Sequence, residues 1–147
     1  MINIKQELEV AKRASEIAAA LLIDNKDNIN KILSNEGRDV KLKADLESEK
    51  VIKEYLLANS NFPILAEESG ANQDLGNSFW VVDPLDGTSN YSRDFPMCCI
   101  SIALIHENEI TLGVINDFNR GSLYEGSIES GAKLNGADIF VSSIHDK

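Results

Sequence analysis

Cysteine is scarce in this chain of 147 residues: Cys98 and Cys99 stand side by side and there are no others. Neighbours within a strand point to opposite faces. That argues against a mutual disulfide, and a free cysteine is most simply a small buried hydrophobe. Histidine is equally scarce. His106 falls in an expected turn and His145 near the end, so no zinc-type ligand spacing exists. Long apolar runs are missing as well. The longest, Met97 to Ile105, has nine residues, too few to cross a bilayer as a helix. The segment Met1 to Glu7 lacks a signal-peptide pattern, so the expected location is cytoplasmic. Positive charge is in deficit, with 14 Lys and Arg against 24 Asp and Glu and a net charge of −10. This argues against nucleic acid or a membrane as a general partner. Repeats and low-complexity linkers are also absent.

What is present suits one domain over residues 1–147, with 43% apolar residues to build a core. Leu8, Ala11, Ala14 or Ser15, Ala18 and Leu21 recur at helical spacing, which predicts a helix over 4–23. The polar stretch Asn25 to Asn30 should break it, and 35–39 should form a loop. A second helix is expected over 44–58, with Val51, Ile52, Tyr55 and Leu56 as its apolar stripe and Glu49–Lys53 as an i,i+4 pair. Short apolar runs then follow at 62–66, 79–82, 97–105, 110–116, 122–125 and 139–142. Turns are marked at 106–109, at Asn119-Arg120-Gly121 and at Asn135-Gly136, the last a strong hairpin signal. Two helices followed by consecutive strands predict an α+β fold with a largely antiparallel sheet.

The most informative segment is Phe79-Trp80-Val81-Val82-Asp83-Pro84-Leu85-Asp86-Gly87-Thr88. An apolar run ends in two carboxylates three residues apart, with Pro84 fixing φ between them and Gly87 permitting a sharp turn. Upstream, the run 62–66 ends in Glu67-Glu68-Ser69-Gly70. Glu67, Asp83 and Asp86 can meet at one sheet edge, where oxygen ligands suit a hard divalent cation. The amides and hydroxyl of Gly87 and Thr88 can receive a phosphate. The plainer reading is also open: Asp-Pro and Asp-Gly are ordinary turn dipeptides, and acidic pairs after strands are often solvated loops.

A-E-E-S-G at 66–70 and W-V-V-D-P-L-D-G-T-S-N-Y at 80–91 resemble the two metal-binding motifs of the inositol monophosphatase family, magnesium-dependent sugar phosphatases sensitive to lithium. F-P-M-C-C-I-S-I-A-L-I, L-G-V-I and G-A-K-L-N-G look like the strands that follow, so the similarity runs from about residue 40 to 143. The resemblance implies the N-terminal half of a layered αβαβα fold and hydrolysis of inositol monophosphate or a related sugar phosphate by a metal-activated water. It implies about two or three Mg²⁺ ions per complete site and a small phosphorylated substrate. In a half-enzyme the sheet left uncovered, with 97–105 and 110–116 foremost, is expected to drive the chain into homo-oligomers, dimers or larger. Glu67 matches a carboxylate that binds the first metal and its water, Asp83 one that bridges two metals, and Leu85 a position whose carbonyl is a ligand. Asp86 matches a ligand of the second metal that also meets a substrate hydroxyl. Gly87 and Thr88 match the phosphate cradle. Thr88 is further implied to orient the attacking water with the help of Asp45, a residue that would equally serve as a helix N-cap. Glu68 is either an outer partner of the site or solvated.

The chain departs from that family in one respect. The family is longer and carries a further metal-binding aspartate in a Trp-Asp segment of its C-terminal half, which nothing after Asn135-Gly136 resembles. The expectation is therefore an N-terminal half. Alternatives are a catalytically incomplete cation-binding or dimerising half-domain, or a phosphatase like the 3',5'-bisphosphate nucleotidases and fructose-1,6-bisphosphatases. Ser89-Asn90-Tyr91 with Phe95-Pro96 looks more like the inositol monophosphatase branch.

Overall fold

The computed structural model describes residues 2–36 and 39–143. Gly37 and Arg38 of the expected loop, and His145, lie outside the described residues. Helix α1 runs over Ile4–Asp24 and starts at Asn3, whose side chain accepts from the Gln6 N–H at 3.1 Å. Its buried stripe is Leu8, Ala11, Ala14, Ser15, Ala18 and Leu22. Leu22 is fully buried where Leu21 was expected, and Leu21 packs at the margin. The break at Asn25 is real but brief, because a single turn of helix, α2 (Lys26–Ile29), follows and buries Ile29. Strands β1 (Ile32–Glu36) and β2 (Asp39–Leu42) form an antiparallel pair, so most of the expected 35–39 loop is strand. Helix α3 spans Lys43–Asn59 and buries Ile52 and Leu56 among its apolar residues.

The remaining strands are β3 (Ile64–Ala66), β4 (Gly70–Ala71), β5 (Phe79–Asp86), β6 (Cys99–His106), β7 (Glu109–Asp117), β8 (Ser122–Ser127), β9 (Gly131–Leu134) and β10 (Ala137–Asp138), with helix α4 (Thr88–Ser92) after β5. They form one sheet in the order β10-β9-β8-β7-β6-β5-β3-β4, antiparallel except where β3 runs parallel to β5. The α+β architecture with a largely antiparallel sheet is as expected. The strand expected at 139–142 is not one. Asn135 and Gly136 hold φ of +48° and +82°, pairing restarts at once with Leu134 opposite Ala137, and the ladder ends at Asp138. Phe140 and Val141 are exposed, since an apolar run forms a strand only where a partner edge is offered.

Alternation decides which face is covered. Trp80 and Val82 of β5, Ile100, Ile102 and Leu104 of β6, and Leu112 and Val114 of β7 are buried, on the face that α1 and α3 cover. Each fully buried side chain of this size is worth about 1.5–3 kcal/mol. Polar ties set the layers in register: Asn116 of β7 donates to Ser15 of α1 at 3.3 Å, and Lys12 pairs with Glu125 at 2.8 Å. The Trp80 indole donates to Ser60 Oγ, and the Tyr91 hydroxyl donates to the Leu22 carbonyl at 2.7 Å. The opposite face of the sheet leaves Ile110, Ile115 and Tyr124 exposed. Cys98 is buried and Cys99 half-buried, both free thiols, as their adjacency predicts. His106 ends β6 rather than lying in the turn. Its Nδ1 is 3.0 Å from Ser78 Oγ.

Candidate metal centre

The parallel pair β3–β5 creates the site. Ala66 lies opposite Val82, so the next residues, Glu67 and Asp83, emerge side by side, and the Glu67 N–H donates to the Val82 carbonyl at 3.1 Å. The D-P-L-D run is not a turn after the strand, as the sequence suggests, but lies inside β5. Asp83 pairs with Ser101 and Asp86 with Cys99, so three residues on β5 span two on β6. This one-residue bulge at Pro84–Leu85 matters because side chains alternate. Residues three apart on a regular strand face opposite ways. Ser101 and Cys99 share a face, so the bulge brings Asp83 and Asp86 onto one face as well.

Glu67 and Asp83 are hydrogen-bonded to each other through their carboxyl groups. Burial of its carboxyl, then the charge of Asp83, pushes Glu67 up to about 7, although the residue as a whole is exposed. Asp83 is also raised, chiefly by burial, while the Glu67 bond and the Leu85 N–H, which donates to Asp83 Oδ1 at 3.1 Å, act the other way. Burial is the leading cause for both carboxyls, so each is pushed toward protonation. Asp86 is exposed, with Oδ2 3.9 Å from Cys99 Sγ. Burial and the charges of Asp86 and Asp83 push that thiol up to about 11, so it remains protonated. Among the described residues no three acidic, His or Cys side chains are gathered within reach of one ion. Glu67 and Asp83 are in contact, and Asp86 stands beside them without closing on the same point.

Gly87 ends the strand with φ +88°. A Cβ there would lie 2.6 Å from the Met97 carbonyl, so only glycine fits this close approach. Helix α4 begins at Thr88. Thr88 Oγ1 lies 2.7 Å from Asp45 Oδ1 and 3.0 Å from the Leu85 carbonyl, both acceptors for its single proton. Asp45 is 2% exposed and its other oxygen accepts from the Leu42 N–H at 2.6 Å. Asp45 is thus not the N-cap, which is Leu42, but the third residue of α3 reaching back to it. Capping and Thr88 binding use different oxygens of one carboxylate, so the two readings of this residue are not exclusive. Burial raises Asp45, partly offset by these two bonds.

Glu68 is not solvated. It pairs with Lys41 and keeps 12% of its side chain exposed, and its N–H donates to Glu49 Oε2 at 2.8 Å. Sequence reasoning missed Ser48, whose buried hydroxyl donates to the Pro84 carbonyl at 2.7 Å, and the part played by Glu49. The signal was available: Asp45, Ser48 and Glu49 are polar residues occupying the helical phase of the buried Ile52 and Leu56.

The inositol monophosphatase family model matches residues 3–147. Nus factor SuhB of Xylella fastidiosa is 38% identical over 147 residues, covering 97% of this chain and 52% of that protein. The inositol-1-monophosphatase of Synechocystis sp. is 35% identical, covering 96% of this chain and 50% of its own length. The crystal structure of the extragenic suppressor protein suhB from Bartonella henselae superposes with a TM-score of 0.85 at 29% identity, over 94% of this chain and 55% of that one. The chain spans about half the length of the relatives it matches.

Proposed function

The chain belongs to the inositol monophosphatase family, and on that premise we propose that it carries the acidic centre of a Mg²⁺-dependent phosphomonoesterase acting on inositol monophosphate or a similar sugar phosphate. The observation that carries this reading is the Glu67–Asp83 pair. Two carboxylates held face to face need a proton or a cation between them, and burial pushes both toward protonation. The donor set fits the group. Glu67, Asp83, Asp86 and the Leu85 carbonyl offer only oxygen, which suits Mg²⁺ completed by water. Bound there, Mg²⁺ would neutralise phosphoryl oxygens and acidify a water.

The chain's own residues supply orientation. Thr88 gives its single hydroxyl proton to Asp45, which leaves the lone pairs of Oγ1 free to accept from an attacking water. The Gly87 and Thr88 amides open α4 beside those carboxylates, where a phosphate oxygen can be received. Hydrolysis forms a P–O bond to the water oxygen and breaks the ester P–O bond, and the departing alcohol takes a proton. We further assign residues 2–36 and 39–143 to one α+β domain that holds this centre. Phosphate release from inositol 1-phosphate, followed as Mg²⁺ is added, is expected to rise with the cation. Cation uptake without release would favour the second reading, a cation-binding half-domain, which the chain's half-length match and the incomplete gathering of carboxylates support. Neither uptake nor release would sink both.

A further inference from the structure

The strands bring Glu67 next to Asp83 but do not by themselves fix how the two acidic segments face each other. Beyond Ala66 the chain leaves the ladder, and within β5 the bulge interrupts it. One face of α3 reaches both breaks. Asp45, Ser48 and Glu49 stand three and four residues apart, so they share a face over about 6 Å of helix axis. Their exposures are 2%, 0% and 4%, unusual for such residues in the middle of a buried helical face.

We propose that Ser48 and Glu49 are positioning residues that align the two acidic segments for a cation. This rests on the metal-centre reading above. Glu67 Cα lies between two peptide groups that are both anchored: its own N–H to the Val82 carbonyl, and the next N–H, of Glu68, to Glu49 Oε2. With φ and ψ so held, only side-chain rotation remains to aim its carboxyl. Ser48 performs the matching task on β5. It donates to the Pro84 carbonyl at the bulge, where the register skips from Asp83–Ser101 to Asp86–Cys99 and Pro84 faces no residue of its own on β6. The relation of Asp83 to Asp86 is set there. Neighbouring charges are taken up elsewhere. Glu68 pairs with Lys41, and Lys53 lies 3.8 Å from Glu49 and donates to Ser69 at 2.6 Å. Glu67 is thereby left to face Asp83.

The test is a titration of the intact chain with Mn²⁺, a carboxylate-seeking stand-in for Mg²⁺, read from the loss of the free-ion EPR signal. Ser48→Ala and Glu49→Ala are expected to weaken Mn²⁺ binding about 10–100-fold, the usual cost of losing a group that orients a metal ligand. Glu49→Gln should retain most of the affinity, because its amide oxygen still accepts from Glu68 N–H. Hydrogen exchange of the Glu68 amide should speed up in Glu49→Ala and not in Glu49→Gln. Alanine variants that are folded by circular dichroism yet bind Mn²⁺ like the parent would overturn the proposal. So would a Glu49→Gln as weak as Glu49→Ala, which would make the effect one of charge. If Glu49→Ala does not fold, Ser48→Ala and Glu49→Gln carry the decision. A parent chain that takes up no Mn²⁺ defeats the metal-centre reading itself, and this inference with it.

Discussion

Thr88 and Asp45 are joined by a hydrogen bond of 2.7 Å. The Thr88 hydroxyl has a single proton, and the nearer acceptor is a buried carboxylate. Thr88→Ala leaves that carboxylate short of a donor and should cost about 1–3 kcal/mol of stability. Under the phosphatase function proposed above, Thr88→Ala and Asp45→Asn should each lower kcat by roughly 10²–10⁴, as for a positioned proton-handling group. The double variant should be little worse than the worse single, since each change already removes the bonded pair. Phosphate release at saturating Mg²⁺ checks this, and additive losses would separate the two residues. Glu7 makes a different prediction, away from the site. Among the described residues its Oε2 is buried without a partner, and burial raises its carboxyl above 4.5 despite a bond to Ser60. The folded state therefore holds the proton more tightly than the unfolded chain. Stability from this source is full below 4.5 and is lost as pH rises through the folded value. Glu7→Gln should flatten that loss in thermal unfolding followed from acid to neutral pH. An unchanged slope would assign the pH dependence to other groups.

At the scale of elements, β5 with its bulge and the Gly87 turn is the least replaceable piece. Gly87→Ala places a carbon 2.6 Å from a backbone carbonyl at φ +88°. It should cost about 1–3 kcal/mol and displace Thr88 from Asp45, visible as a lowered midpoint in thermal melts. A melt identical to the parent's would mean the turn can reshape freely. Helix α3 shows what the sequence made legible. Its extent and the Ile52–Leu56 stripe followed from periodicity, because apolar spacing reports burial directly. The meeting of Glu67 with Asp83 was legible because two apolar runs each end in a carboxylate, and neighbouring strands bring such ends together. The bulge was not, since nothing local announces that β6 will pair across Asp83–Asp86 with one residue fewer. Ser48 and Glu49 were passed over because polar residues on a helix are usually solvated, and only the partner segments reveal why these are buried. The failed strand at 139–142 has the same origin: pairing is a property of two segments, and hydropathy describes one.

Across the whole molecule, strands β5 to β10 lie in chain order, each beside its sequence neighbour. The site is built otherwise. Thr88 and Asp45 are 43 residues apart, Ser48 and Pro84 are 36 apart, and the Asn116–Ser15 tie that seats α1 closes 101. Chain order thus implies an order in time. Short hairpins close with little loss of loop entropy and can form early, whereas distant contacts come after the larger closure cost. The acidic segments would be among the last parts to reach their places and the first to come apart. A cation that binds only the finished arrangement then stabilises the native state and not the folding barrier. In stopped-flow experiments Mg²⁺ should slow unfolding and leave the refolding rate nearly unchanged. Faster refolding with Mg²⁺ would mean that the acidic turn forms before the meander.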